Sequence, residues 1–115
     1  MSEEEKAKVR EEEAARKKAK EDYQEAARQA TETPLPEITF SAFLISLGSS
    51  AFVHLGDMPD PTTGETKQNL ALAKQTIDLL GLLREKTRNN LLEEEEKLFD
   101  NLLYDLRLRY VKKAG

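Results

Sequence analysis

Apolar positions recur at helical spacing in three stretches of the chain, each bounded by residues that start or stop a helix. In the first, Phe40, Phe43, Leu44, Leu47, Ala51 and Leu55 make one apolar face; Thr39 can cap its start, and Asp57 with the prolines beyond it ends it. A second face of the same helix is also apolar or small: Ile38, Ala42, Ile45, Ser46, Ser49, Ser50, Phe52 and Val53. Within it, Ala42, Ser46 and Ser50 form a ladder of small side chains four residues apart, which would let another helix approach closely. The second helix is capped by Asn69 and carries two stripes, Leu70, Ala73, Ile77 and Leu80 on one side, Leu72, Leu79 and Leu83 on the other. For the third, Asn90 with Glu93 three residues on suggests a capping box, and the run Glu93 to Glu96 complements the positive end of the helix dipole. This helix is expected to reach about Val111, with Leu98, Phe99, Leu102, Leu103, Leu106 and Tyr110 inward and Tyr104, Leu108 and Val111 on a second edge. The short link between the last two helices makes them an antiparallel hairpin, and the first, the most apolar, is expected at the centre of the assembly.

Upstream the pattern changes. Ser2 to Ala30 is almost wholly Glu, Lys, Arg, Ala and Gln, with opposite charges four apart at Glu4 and Lys8, Glu12 and Arg16, and Glu13 and Lys17. Only Val9, Tyr23 and scattered alanines offer apolar surface, so this stretch is expected to be a charged tail, partly helical or disordered, rather than a coiled coil. A binding arm that orders on a partner is the alternative. Thr31-Glu32-Thr33-Pro34-Leu35-Pro36 marks the boundary, because proline restricts the residue before it and cannot continue a helix. The expected organisation is an all-α chain: a tail over 1–33, a proline-containing linker over 34–38, and a three-helix domain over 39–111.

The 115 residues leave room for one modest core, which is marginally stable without a partner or a second copy. Three helices whose apolar arcs are wider than a monomer needs point to a homodimer, with Ala42, Ser46, Ser49, Ser50 and Val53 as the candidate self-association face. The net charge of −4, shared by both halves, argues against a nucleic-acid binder, which needs a concentrated basic footprint. There is no cysteine, hence no disulfide, thiolate metal cluster or thiol nucleophile. The acidic start Met1-Ser2-Glu3-Glu4-Glu5 is the reverse of an export signal, so a cytoplasmic location is expected. Ile38 to Gly56 lacks formal charge, but its serines, His54 and Gly48 make it a buried helix rather than a membrane span.

Candidate chemistry is sparse. His54, Asp57 and Asp60 fall three residues apart and could in principle ligate a metal, although Asp beside proline commonly starts a turn and a histidine near a helix C-terminus suits the dipole there. Asp78, and Asp105 with Arg107 and Arg109, suggest ion pairing between helices; Gln75, Thr76, Asn101 and Tyr104 could add polar links. Arg107, Arg109, Lys112 and Lys113 complement the C-terminal end of the last helix. The glycines are isolated, so no phosphate-cradling loop is present, and no nucleophile has a histidine and acid suggested nearby.

The stretches Phe40-Ser-Ala-Phe-Leu-Ile-Ser-Leu-Gly-Ser-Ser-Ala-Phe-Val-His-Leu-Gly56, Asn69-Leu-Ala-Leu-Ala-Lys-Gln-Thr-Ile-Asp-Leu-Leu-Gly81 and Glu93-Glu-Glu-Glu-Lys-Leu-Phe-Asp-Asn-Leu-Leu-Tyr-Asp-Leu-Arg107 resemble a family of small bacterial proteins catalogued as a domain of unknown function. The resemblance runs from about Ile38 to Val111, includes the loop Gly56 to Pro61 and the stretch Leu83 to Thr87, and excludes the tail. It implies a bacterial, cytosolic, helical protein and brings no activity, cofactor or catalytic residue. Its pattern retains His54, Asp57, Gln75, Asp78, Asn101 and Asp105, as either a binding surface or a helix network. One departure is Leu92, where the family often has a Ser or Thr cap; this moves the expected cap to Asn90.

The expected function is therefore a non-enzymatic helical interaction or structural protein, without metal or cofactor, that self-associates and offers a tail or groove to a protein partner. A small-molecule or metal-binding protein using the His54 to Asp60 region, or peripheral membrane attachment by the first apolar helix, are the alternatives.

Overall fold

The computed structural model describes residues 2–30, 35 and 37–115, so the Pro-flanked boundary at Thr31 to Pro36 lies mostly outside the described residues. Its secondary structure among those residues is helical throughout: α1 (Glu3–Ala30), α2 (Phe40–Leu55), α3 (Leu70–Lys86) and α4 (Glu93–Ala114). The chain forms two units, Met1–Glu37 and Ile38–Gly115.

The charged N-terminal stretch, expected to be partly helical or disordered, is one continuous helix of 28 residues with none of them buried. Its stability is therefore local. Ser2 Oγ accepts the Glu5 amide at 3.2 Å, and the acidic first turn faces the positive end of the dipole. Lys6–Glu3, Arg16–Glu12 and Arg28–Glu25 pairs lie along its surface at 3.8, 3.9 and 3.1 Å. Each such pair contributes about 0.2–0.5 kcal/mol and is screened by salt.

In the second unit each of α2, α3 and α4 packs on the other two, so that α2 is one wall of a triangle. Leu44, Ala51 and Leu55 of α2, Ala73, Ile77 and Leu80 of α3, and Phe99, Leu103 and Leu106 of α4 make the buried core. Phe40 and Leu47 pack on its margin, whereas Phe43, from the same expected face, is 43% exposed. Gly48 is buried because α4 passes so close that a Cβ there would lie 2.7 Å from Leu102 Cδ1.

The helix ends follow their caps. Thr39 Oγ1 accepts the Ala42 amide at 3.0 Å, and Asn69 Oδ1 accepts the Leu72 amide at 3.1 Å, as the sequence predicts. The expected Asn90–Glu93 box does not form. A turn intervenes in which Asn89 adopts φ 64° and the Asn90 amide donates to Thr87 O at 2.9 Å, while Leu91 packs on the core. Helix α4 thus begins at Glu93 with Leu92 as its cap residue, and the Glu95 carboxylate reaches back to accept the Leu92 amide at 2.8 Å. At the other end α4 continues past Val111 to Ala114.

Two outcomes are expected. Phe99→Ala, which empties the centre of the core, should lower unfolding free energy by about 3–5 kcal/mol in chemical denaturation. In native-state hydrogen exchange, amides of α1 should exchange well before those around Leu44, Leu80 and Phe99, because none of the α1 residues is buried.

Candidate functional site

The candidate polar residues His54, Asp57 and Asp60 lie at the C-terminal end of α2 and in the loop after it, where the conformation is set locally. A helix leaves its last carbonyls without partners. Here Gly56 turns left-handed (φ 84°) and donates to Val53 O at 3.0 Å, while Asp57 donates to Phe52 O at 3.0 Å, closing a Schellman turn. Glycine suits the position because the φ is unfavourable for other residues, and a Cβ would also press on Gln68 Cβ at 3.3 Å. The two remaining carbonyls are met by the returning chain, His54 O by the Asn69 amide at 2.7 Å and Leu55 O by Gln68 Nε2 at 3.3 Å. Residue 69 therefore closes α2 with its backbone and starts α3 with its side chain.

This turn separates the three residues that could have formed a metal site. Asp57 is directed to the last turns of α4, where Arg109 Nη1 and Lys113 Nζ approach its carboxylate at 3.1 and 2.8 Å. Arg109 also donates to Asp105 at 3.1 Å and lies 4.8 Å over the Phe52 ring. Asp60 instead organises its own loop, accepting the Thr62 amide at 2.8 Å and the Thr62 hydroxyl at 2.6 Å. His54 Nε2 lies 3.4 Å from Ser50 Oγ, one turn back on α2. Among the described residues no group of three or more His, Asp or Glu side chains is placed to hold a metal ion.

Both aspartates are held in the charged form. Lys113 most strongly, and Arg109 after it, keep the Asp57 carboxyl below its ordinary value although partial burial pushes it up. The Thr62 hydroxyl and amide do the same for Asp60.

Ser46, Ser49, Ser50 and Val53, from the candidate self-association face, line a groove together with Ile45 and His54, walled by the loop from Met58 to Pro61; its volume is about 520 Å³. Ala42 continues the same face beyond the groove and is exposed. A smaller hollow adjoins it, where Val53 and His54 meet Leu72 and Asn69 of the α3 side.

The other expected interhelix links are placed differently. Asp78 is exposed and pairs with Lys74 on its own helix. Asp105 reaches the loop only through Arg109. Thr76 donates to Leu72 O within α3, Tyr104 is 68% exposed, and Gln75 and Asn101 are exposed. The ion pair that does join α3 to α4 involves none of these residues: Arg84 binds Asp100 at 2.8 Å and Glu96 at 3.0 Å. Asp100 and Glu96 stand one turn apart on α4, the spacing that lets one guanidinium take both; this is the signal in the sequence that could have found it. Beside that pair a second open groove, about 560 Å³, runs between α3 and α4, and Arg107 fills the space left by Gly81.

Comparison with known proteins fits this division of the chain. Residues 37–112 match the family described as Domain of unknown function (DUF1844), and thus take in α2, α3, the turn at Gly56 and nearly all of α4. The chain belongs to the DUF1844 family. Its DUF1844 region coincides closely with the second unit and leaves α1 outside. No curated protein and no solved structure matches the chain. Among the described residues, no helix is long and apolar enough to cross a membrane.

Asp57→Asn should cost about 1 kcal/mol at neutral pH, by weakening the tie between the DUF1844 loop and α4. Its folded carboxyl titrates below the ordinary 3.8. The contribution is therefore complete above that value and lost as pH falls through the lower folded value. Acid denaturation of the variant should accordingly be shallower below about pH 4 than that of the parent.

Proposed function

We infer that this protein is a non-enzymatic helical interaction protein, whose three packed helices α2 to α4 form a small bundle that associates with a second copy of itself through the outer face of α2. The observation that carries this reading is the chemistry of that face. Helices α1, α3 and α4 all carry Lys or Arg and Asp or Glu toward solvent, whereas α2, from Phe40 to Leu55, has no formally charged residue and only His54 as a titratable one. Yet Ala42, Phe43, Ile45 and Ser46 are exposed, Ile45 by 55%. Leu72 and Leu79 of α3 add further exposed apolar surface, at 42% and 50%.

Water-exposed hydrocarbon is costly at about 25 cal/mol per Å², and covering it with an equivalent neutral surface strands no charge away from water. A second copy supplies such a surface without any other molecule. The electrostatics favour the same reading over an enzyme. Arg84 and Arg109 are consumed in ion pairs with Asp100, Glu96, Asp57 and Asp105, so the strongest polar groups join parts of the fold to one another.

Light scattering on the full chain, over a dilution series through the micromolar range, tests this. A dimeric mass is expected at the higher concentrations, and Ser46→Arg, at an exposed position where the fold tolerates a long side chain, should give a monomer with unchanged helicity. A parent protein that is monomeric throughout would overturn the reading.

A further inference from the structure

The way the second copy sits follows from the relief of the α2 face, given the self-association reading on which it rests. We propose that two α2 helices pack antiparallel about a two-fold axis beside Ser46 and Ser49, the Ile45 side chain of each copy entering the groove of the other over Ser49 and Ser50.

A two-fold interface brings one patch against itself, so that patch must carry both a projection and a recess to receive it. Ile45, 55% exposed, is the projection. The recess is the groove floored by Ser46, Ser49 and Ser50, with Met58 and Pro59 in its far wall. When the axis passes midway between positions 46 and 49, residue 45 of one copy stands opposite residue 50 of the other, and Ala42 opposite Val53. The small side chains at the crossing allow the helix axes to approach to about 8 Å.

Charge selects the antiparallel sense. Helix α2 has no acidic residue in its first turn, unlike α1 and α4, so its positive end has no carboxylate of its own turn to meet. Antiparallel packing places that end beside the negative end of the partner helix, whereas parallel packing would set like ends together. One helix of 16 residues, about 24 Å long, offers less than the roughly 800 Å² per partner of a standard interface. The exposed flank at Leu72, which adjoins Val53 and His54, and the loop wall at Met58 extend it on either side.

Because the chain has no cysteine, disulfide trapping reads this geometry directly. Full-length Ala42→Cys and Val53→Cys proteins, checked for parental helicity, are oxidised with oxidised glutathione separately and as a mixture, and the reduced samples are weighed by light scattering. A disulfide needs Cα atoms within about 7 Å, and antiparallel packing separates the two copies of residue 42 by about 16 Å along the axis. Covalent dimer should form in the mixture and be lost when either variant is oxidised alone. Ile45→Cys mixed with Ser50→Cys, positions whose own copies stand about 7.5 Å apart along the axis, should behave likewise and covers the case in which the first pair perturbs folding. Trapping of each variant with itself would mean parallel packing and would overturn the proposal while leaving self-association intact. Dimers by mass that trap in no combination would place the interface elsewhere, with the same consequence. Monomers by mass, for the parent as well, would remove both the proposal and the reading beneath it.

Discussion

The left-handed turn at Gly56 is the constraint on which the rest of the core unit depends. A helix made almost wholly of apolar and small residues must end inside its own domain, and its last carbonyls must find donors there. Gly56 and Asp57 satisfy two of them, and the chain that comes back at Gln68 and Asn69 satisfies two more. That return fixes where α3 begins, since Asn69 is at once the donor to α2 and the cap of the next helix. It also fixes where Asp57 points, and so which turns of α4 the loop is tied to. One backbone conformation available cheaply only to glycine thus sets the relation of all three helices at this end of the bundle.

At the other end the helices are held differently. Arg84 bridges α3 to Glu96 and Asp100 of α4 above Phe99, and its side chain is only 22% exposed. Both charged ties thus include α4, one with α3 and one with the loop after α2. The outer face of α2 takes part in neither. The consequence is an uneven bundle, whose charged cross-links all involve α4 and whose α2 helix carries no formal charge. A bundle of this size has little apolar area to spare for solvent, which is why the uncovered face bears on what the protein does.

Much of the fold is legible in the sequence because the signals are local. Thr39 and Asn69 cap their helices as their side chains dictate, and the periodic stripes yield Leu44, Ala51 and Leu55, Ala73, Ile77 and Leu80, and Phe99, Leu103 and Leu106 as core. Failures arise where tertiary packing overrides a local rule. Asn90 is a better cap than Leu92 by side-chain chemistry, but the packing of Leu91 on the core margin and the Asn89 turn delay the helix, and Glu95 supplies the missing partner from inside. Periodicity also could not rank the two apolar faces of α2 at their edges: Phe43 is partly in water, while Gly48, which has no side chain to score, is buried against Leu102. The His54, Asp57 and Asp60 spacing was visible as a pattern, but the direction of each side chain depended on a turn whose partners lie at Gln68, Asn69 and Arg109.

The proton affinities lead to the same view of the polar residues. A general acid or base works best when its environment brings its pKa toward the working pH, which requires burial or a like charge to oppose ionisation. In this molecule the resolved shifts run the other way. Asp57, Asp60 and Asp100 are held below the ordinary carboxylate value, and Lys74, Arg84 and Arg109 above their own, each chiefly by a hydrogen bond to a neighbouring side chain. Such shifts fix the charged form and so favour permanent ion pairs and turns over proton transfer. The charged groups with such shifts therefore read as fastenings of the fold, and under the proposed self-association it is the uncharged face of α2 that meets the second copy.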